Sequence, residues 1–217
     1  MFDLDGTLID TRPGVRAAIA AAFREVTGSA PSSETANLSL PLDEMIRGID
    51  PAASASRRRL LSEAFRRHYD SADWRSAHVY QGAEESVRAL RAGGIRVFVV
   101  TNKRTSAAER LLVHFGLAQH FEAIIGQAET GDPVPKSVLL AQCLDGAALD
   151  AATTVVIGDS DQDAAAARSS HMAFVAVTSG AGPLGRATAD EERVEVESLA
   201  DAAAFVLGRP WGEDHES

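Results

Sequence analysis

The chain has 217 residues, 45% of them hydrophobic, which is enough for one large domain or for a core domain with a smaller one. Its formal charge of -10 repels polyanions, so we expect neither a nucleic-acid partner nor binding to an anionic membrane surface. The single cysteine, Cys143, excludes an internal disulfide, and no apolar run has the pattern of a membrane span or a signal peptide, so we expect a soluble, cytoplasmic protein.

Two carboxylates, Asp3 and Asp5, stand at positions i and i+2 at the beginning of the chain. On a β-strand this spacing points both side chains to the same side. With Gly6 for a sharp turn, the pair could hold a hard cation and still leave one oxygen free to attack phosphorus. Taken alone, the same residues could also be a polar strand end that runs into a turn.

Residues 13–79 predict an all-helical segment. Helical patterns at 15–26 and 57–69 are separated by polar loops at 30–37 and 50–56, with no convincing strand between them. We therefore expect a small helical domain at 13–79, a core domain formed by 1–12 and 80–207, and a flexible tail at 208–217.

From residue 95 onward, short apolar runs alternate with helical patterns, as a parallel sheet with crossover helices requires, and a helix at 84–92 leads into the first of these strands. The predicted strands are 95–100, 123–125, 153–157 and 173–177. The predicted helices are 84–92, 106–115, 136–144 and 161–169. This order predicts an α/β fold, with a doubly wound parallel sheet as the core.

Four segments resemble, in the correct order, the four motifs of the haloacid dehalogenase superfamily. They are Asp3-Leu4-Asp5-Gly6-Thr7, Val99-Val100-Thr101-Asn102-Lys103, Lys136, and Ile157-Gly158-Asp159-Ser160-Asp161-Gln162-Asp163. Three of them follow an apolar run and so fall at the carboxyl ends of predicted strands, where ligands bind in open α/β sheets. The match to Lys136 depends on position, because the family usually has proline after this lysine, whereas Pro135 precedes it here. A solvent-exposed lysine at a helix start is the alternative.

The resemblance implies phosphoryl transfer. Asp3 would be the nucleophile that forms an aspartyl phosphate, and Asp5 would protonate the leaving oxygen and then deprotonate water. Thr101, Asn102 and Lys136 would bind the phosphoryl oxygens, with Lys136 also a catalytic residue. Family members that act as dehalogenases lack the second carboxylate, since halide leaves without a proton.

The resemblance also implies a Mg²⁺ site. Asp3, the backbone carbonyl of Asp5, and Asp159 would be its ligands, with Asp163 as a further ligand or as the partner that orients one.

The helical insertion resembles the cap domain that family members close over the active site, so we expect a small phosphorylated metabolite as the substrate. Gly82 and the segments 101–103 and 111–117 look most like the phosphoglycolate phosphatase branch. The possible substrates are phosphoglycolate, sugar phosphates, nucleoside monophosphates and pyrophosphate. We expect the chain to be either a monomer or a homodimer. A phosphomutase and a catalytically inactive binding module are the alternatives.

Only Met1 and Phe2 precede Asp3, whereas strands usually have about 5–6 residues and family members have several more apolar residues there. We therefore expect that extending the chain upstream with its natural codons would add a short apolar run, raise the melting temperature and speed turnover.

Overall fold

The computed structural model describes residues 1–31, 40, 42–71, 73–178 and 193–208. The chain divides into two compact units, one formed by Met1–Ile9 with the described residues from Val79 onward, and the other by Asp10–His78. The predicted tail lies, apart from Gly208, outside the described residues, as does most of the predicted loop at 30–37. Among the helices in these ranges, none is long and apolar enough to cross a membrane.

Two short strands, β1 (Ile9–Asp10) and β2 (His78–Val79), pair with each other. The second unit is otherwise helical, with α1 (Arg12–Thr27), α2 (Leu42–Ile49) and α3 (Ala55–Ser71). Helix α1 has proline in its first turn and ends at Gly28, whose φ of 79° is the left-handed conformation that glycine adopts without strain. Both long helices were predicted, whereas the eight-residue α2 was missed, although Leu42, Met45, Ile46 and Ile49 have the i, i+3, i+4, i+7 spacing of an amphipathic helix.

The first unit contains a parallel sheet. Its strands are β3 (Val99–Arg104), β4 (Ile124–Gln127), β5 (Val155–Gly158), β6 (Ala173–Val177) and β7 (Arg193–Val196). Strand β3 pairs with β4, and β5 with β6 and then β7, all in parallel. Its helices are α4 (Ala83–Ala92), α5 (Thr105–His114), α6 (Lys136–Ala147), α7 (Asp161–Ser169) and α8 (Leu199–Gly208). The predicted alternation of strands and helices is therefore confirmed.

Phe2 joins the two parts of the sheet. It forms parallel bridges to Val99 of β3 and to Ile157 of β5. Its N–H donates to the carbonyl of Phe98 at 2.8 Å, and its own carbonyl accepts from Val100 N–H at 2.9 Å. The first residues of the chain thus lie in the middle of the sheet, and the position of Asp3 depends on these bonds.

Several predicted boundaries are wrong by a few residues. The strand predicted at 95–100 begins at Val99, the first residue of that run with bridges to both neighbours, and continues to Arg104. The strand predicted at 153–157 begins two residues later, because residues 151–153 form a 3₁₀ turn. Strand β7 and helix α8 were not predicted. The charged residues Arg193 and Glu195 interrupt the apolar pattern of β7, so the sequence did not indicate this edge strand.

Candidate active site

Asp3 and Asp5 follow the central strand residue Phe2 and differ in their surroundings. Asp3 is buried, whereas the side chain of Asp5 is 32% exposed. Gly6, which follows them, has a φ of 91°, and a Cβ at this position would clash with the carboxylate of Asp159. A glycine is therefore required at position 6, so that the turn after Phe2 and the two acids can lie against the end of β5.

Asp159 and Asp163 are positioned by the junction between β5 and α7. Ser160 is the N-cap of α7, and its hydroxyl accepts the N–H of Asp163 at 3.2 Å. In return, Oδ2 of Asp163 accepts the Ser160 hydroxyl at 2.6 Å and the Ser160 N–H at 3.2 Å. This reciprocal capping fixes the rotamer of Asp163. Asp159 is held from the other side by the Thr7 hydroxyl, which donates to its Oδ1 at 3.0 Å.

Lys136 is buried at the first position of α6, with only 4% of its side chain exposed. Its Nζ donates to Oδ1 of Asp3 at 2.5 Å and also to Oδ1 of Asp163. The alternative of a solvent-exposed lysine is therefore wrong. Gln127 fixes the chain just before this helix, because its side-chain amide donates to the carbonyl of Val134 at 2.8 Å and accepts the N–H of Val134 at 2.9 Å.

Burial and mutual repulsion shift the pKa values of these carboxylates. Burial raises the pKa of Asp3 well above its usual value, Lys136 opposes this, and the neighbouring carboxylates add to it. Burial, with the charge of Asp163, also raises the pKa of Asp159 to about 7. For Lys136, burial would lower the pKa, but the charges of Asp163 and Asp3 outweigh it and the pKa rises above its usual value.

Lys136 bonds to Asp3 and Asp163, and Asp159 lies close to both of these carboxylates, so the ionised cluster of three acids and one lysine has an excess of negative charge. Oxygen atoms of Asp3, Asp159 and Asp163 lie within 4.8 Å of one another. Carboxylate oxygens are the ligands that hard divalent cations prefer. The three residues could therefore hold one metal ion, and the carboxylate of Asp5 lies outside this cluster.

Two of the residues predicted to bind phosphate, Thr101 and Asn102, lie on β3, which pairs with Phe2 next to Asp3. Thr101 is buried, and its hydroxyl accepts the N–H of Lys103 at 3.2 Å. Asn102 is exposed, and its amide donates to Oε1 of Gln162 at 3.3 Å, which links the end of β3 to the start of α7. The second and fourth motifs are thus brought together at the carboxyl edge of the sheet.

Sequence reasoning assigned no role to Thr7, Ser160 or Lys103, although each contacts a predicted acid. The Thr7 hydroxyl donates to Asp159, the Ser160 hydroxyl donates to Asp163, and Nζ of Lys103 lies 3.0 Å from Oδ1 of Asp5. All three residues belong to motifs that were recognised, but the sequence did not show which acid each of them contacts.

Replacing Lys136 with methionine should destabilise the metal-free protein strongly, because it leaves buried carboxylates without their cation. At pH 8 we expect a loss of about 3–5 kcal/mol in the free energy of unfolding. The charge of Lys136 lowers the pKa values of Asp3 and Asp159, so removing it should raise both pKa values further, and the folded variant should take up more protons than folded wild type as the pH falls. The loss should therefore be smaller at pH 5, where the carboxylates take up protons.

Urea unfolding at both pH values measures this difference. Arg47→Met is the matched control, because Arg47 forms an exposed i,i+4 pair with Asp43 at 2.7 Å. It should change the free energy of unfolding by less than about 1 kcal/mol at either pH. Equal, small effects of the two substitutions would contradict the assignment of Lys136 as the counter-ion of the cluster.

Known proteins are similar to this chain in sequence and in fold. A model of the haloacid dehalogenase-like hydrolases matches residues 1–177. A phosphoglycolate phosphatase from Cereibacter sphaeroides is 33% identical over 191 residues, which cover 83% of this chain and 84% of that protein.

Solved structures show the same architecture. A predicted phosphatase from Clostridium acetobutylicum superposes with a TM-score of 0.84 at 22% identity, over 95% of this chain and 96% of the other. Protein tyrosine kinase A from Mycobacterium tuberculosis superposes with a TM-score of 0.80 at 28% identity, over 96% of this chain and 97% of the other. The predicted doubly wound α/β fold is confirmed, and the chain belongs to the haloacid dehalogenase-like hydrolase family.

Proposed function

We propose that the chain is a Mg²⁺-dependent phosphatase that hydrolyses a small phosphomonoester through a phosphoryl group carried by Asp3. The observation that carries this proposal is the buried cluster of Asp3, Asp159 and Asp163 around Lys136. The cluster stands at the carboxyl ends of adjacent parallel strands, which is the usual ligand-binding edge of such a sheet.

The donor set fits Mg²⁺, because it consists of carboxylate oxygens that repel one another when no cation is present. Asp3, Asp159 and the backbone carbonyl of Asp5 would hold the ion. Both oxygens of Asp163 already accept hydrogen bonds from the protein, so its part would be to orient the cluster, or to add a ligand. When bound, Mg²⁺ offsets negative charge on the phosphoryl group.

The residues of the chain divide the chemistry between them. One carboxylate oxygen of Asp3 attacks phosphorus while Asp5 gives its proton to the leaving oxygen of the ester. Asp5 then takes a proton from the water that attacks the aspartyl phosphate, which releases inorganic phosphate and restores both acids. Thr101, Asn102 and the ammonium of Lys136 hold the non-bridging phosphoryl oxygens and so align the reacting atoms.

The names of the relatives, and not the cluster, support the proposed substrate class. Curated relatives of similar length are named phosphoglycolate phosphatases, which supports a phosphomonoester of a small organic acid as the substrate. The helical unit Asp10–His78 is proposed to be a cap domain that chooses among such esters.

A second candidate is phosphoryl transfer to tyrosine, favoured by the likeness to protein tyrosine kinase A. Both activities would use the same acidic cluster. They differ in the acceptor, which is water for a phosphatase and a tyrosine hydroxyl for a kinase.

Asp3→Asn should reduce phosphate release from 4-nitrophenyl phosphate by at least about 10³-fold while the protein remains folded, because an amide oxygen is a poor nucleophile. Wild-type release should require Mg²⁺. Asp161→Asn is the control, since Asp161 is an exposed acid at the start of α7 with 64% of its side chain accessible. Retained turnover by Asp3→Asn would refute the nucleophile assignment, and transfer of label from ATP to a tyrosine peptide would favour the kinase.

Asp5→Asn should slow the hydrolysis of alkyl phosphates by about 10²–10⁴-fold and affect 4-nitrophenyl phosphate less, because a good leaving group needs little protonation. The comparison must use the first turnover, since water attack on the intermediate slows with both substrates. Rapid-quench measurements with enzyme in excess give that rate. Equal losses on the two substrates would show that Asp5 is not the acid.

A further inference from the structure

The side chain of Lys103 contacts Asp5 at the end of β3, and no step described above uses it. Its Nζ lies 3.0 Å from Oδ1 of Asp5, and only 13% of the side chain is exposed. We propose that Lys103 is a positioning residue, which holds the carboxyl group of Asp5 where, in its protonated form, it can deliver its proton to the leaving oxygen. The inference rests on the proposed function, because Asp5 acts as an acid only if the chain transfers phosphoryl groups.

The backbone at Lys103 is fixed by its neighbours. Its N–H donates to the Thr101 hydroxyl at 3.2 Å. Its carbonyl lies so close to Gly126 of β4 that a Cβ at that position would clash with it. A residue with any side chain at position 126 would thus displace the backbone of Lys103, and with it the ammonium group.

The pairing of β3 with β4 is irregular at this point. Val100 pairs with Ile125 and Arg104 with Gln127, so two more residues lie between the paired positions on β3 than on β4. Such a bulge interrupts the ladder and redirects side chains, and bulges are frequent beside active sites. It includes Thr101, Asn102 and Lys103, so one local feature of the backbone sets the direction of the phosphate-binding residues and of the proposed positioning residue.

Asp5 needs such a partner more than Asp3 does. Asp3 is buried and fixed by Lys136, whereas Asp5 is about one-third exposed and less confined by packing. A general acid must lie within hydrogen-bond reach of the atom that it protonates, and an error of about 1 Å can cost on the order of 10²-fold in rate. A mostly buried ammonium group 3.0 Å away restricts the carboxylate to one region of the site.

The test is a double-mutant cycle between Lys103→Met and Asp5→Asn. Lys103→Met should lower kcat on an alkyl phosphate such as phosphoglycolate by about 10- to 100-fold, and should lower the first-turnover rate on 4-nitrophenyl phosphate much less. In the Asp5→Asn background, Lys103→Met should lower kcat by less than a further factor of about two, because the side chain that Lys103 positions is already unable to donate a proton. Lys103→Arg, which keeps a cation, should recover part of the loss.

Arg104→Met is the matched control, since it removes one positive charge from the next residue of the same strand and should change both rates by less than about threefold. Melting temperatures of all variants separate a loss of folding from a loss of positioning. Two results would overturn the inference alone. One is that Lys103→Met leaves kcat unchanged, whether or not KM rises. The other is that Lys103→Met lowers kcat by the same factor in the Asp5→Asn protein as in wild type. A wild-type protein without Mg²⁺-dependent phosphate release would overturn the proposed function and the inference together.

Discussion

The balance of charge around the buried ammonium of Lys136 is the constraint on which the rest of the site depends. Ionised carboxylates are costly to bury, and Asp3, Asp159 and Asp163 share one cation among them. The protein therefore retains carboxylates that are incompletely neutralised. A divalent ion would stabilise such a cluster, and the cations would in turn offset the charge of a phosphoryl group beside them. The proposed function would therefore use the same charge that makes the metal-free cluster costly to bury.

The fold brings these residues together from distant parts of the sequence. Phe2 forms backbone bonds to the strands on both sides of it, so Asp3, the next residue, lies beside the ends of β3 and β5. The start of α7 presents Asp163, and the start of α6 presents Lys136. Each of these candidate site residues is thus attached to the end of a regular element, which gives it a defined place without a long loop.

The acids and the lysine could be predicted because the sequence itself carries their motifs, and each acidic motif follows an apolar run. The boundaries of β3 could not be predicted, since its last residues are polar and belong to the strand only through pairing with β4. The contact between Lys103 and Asp5 was also out of reach, because it joins residues nearly a hundred positions apart and depends on a bulge that leaves no mark in composition.

The most direct measurement of the central claim is chemical trapping of the phosphorylated protein. Wild-type protein would be quenched during its first turnover with Mg²⁺ and a phosphomonoester, treated with borohydride, and digested for mass spectrometry. Borohydride reduces an aspartyl phosphate to homoserine, so we expect homoserine at position 3 in wild type and none without Mg²⁺. Modification of another residue, or turnover with no trapped species at position 3, would contradict it.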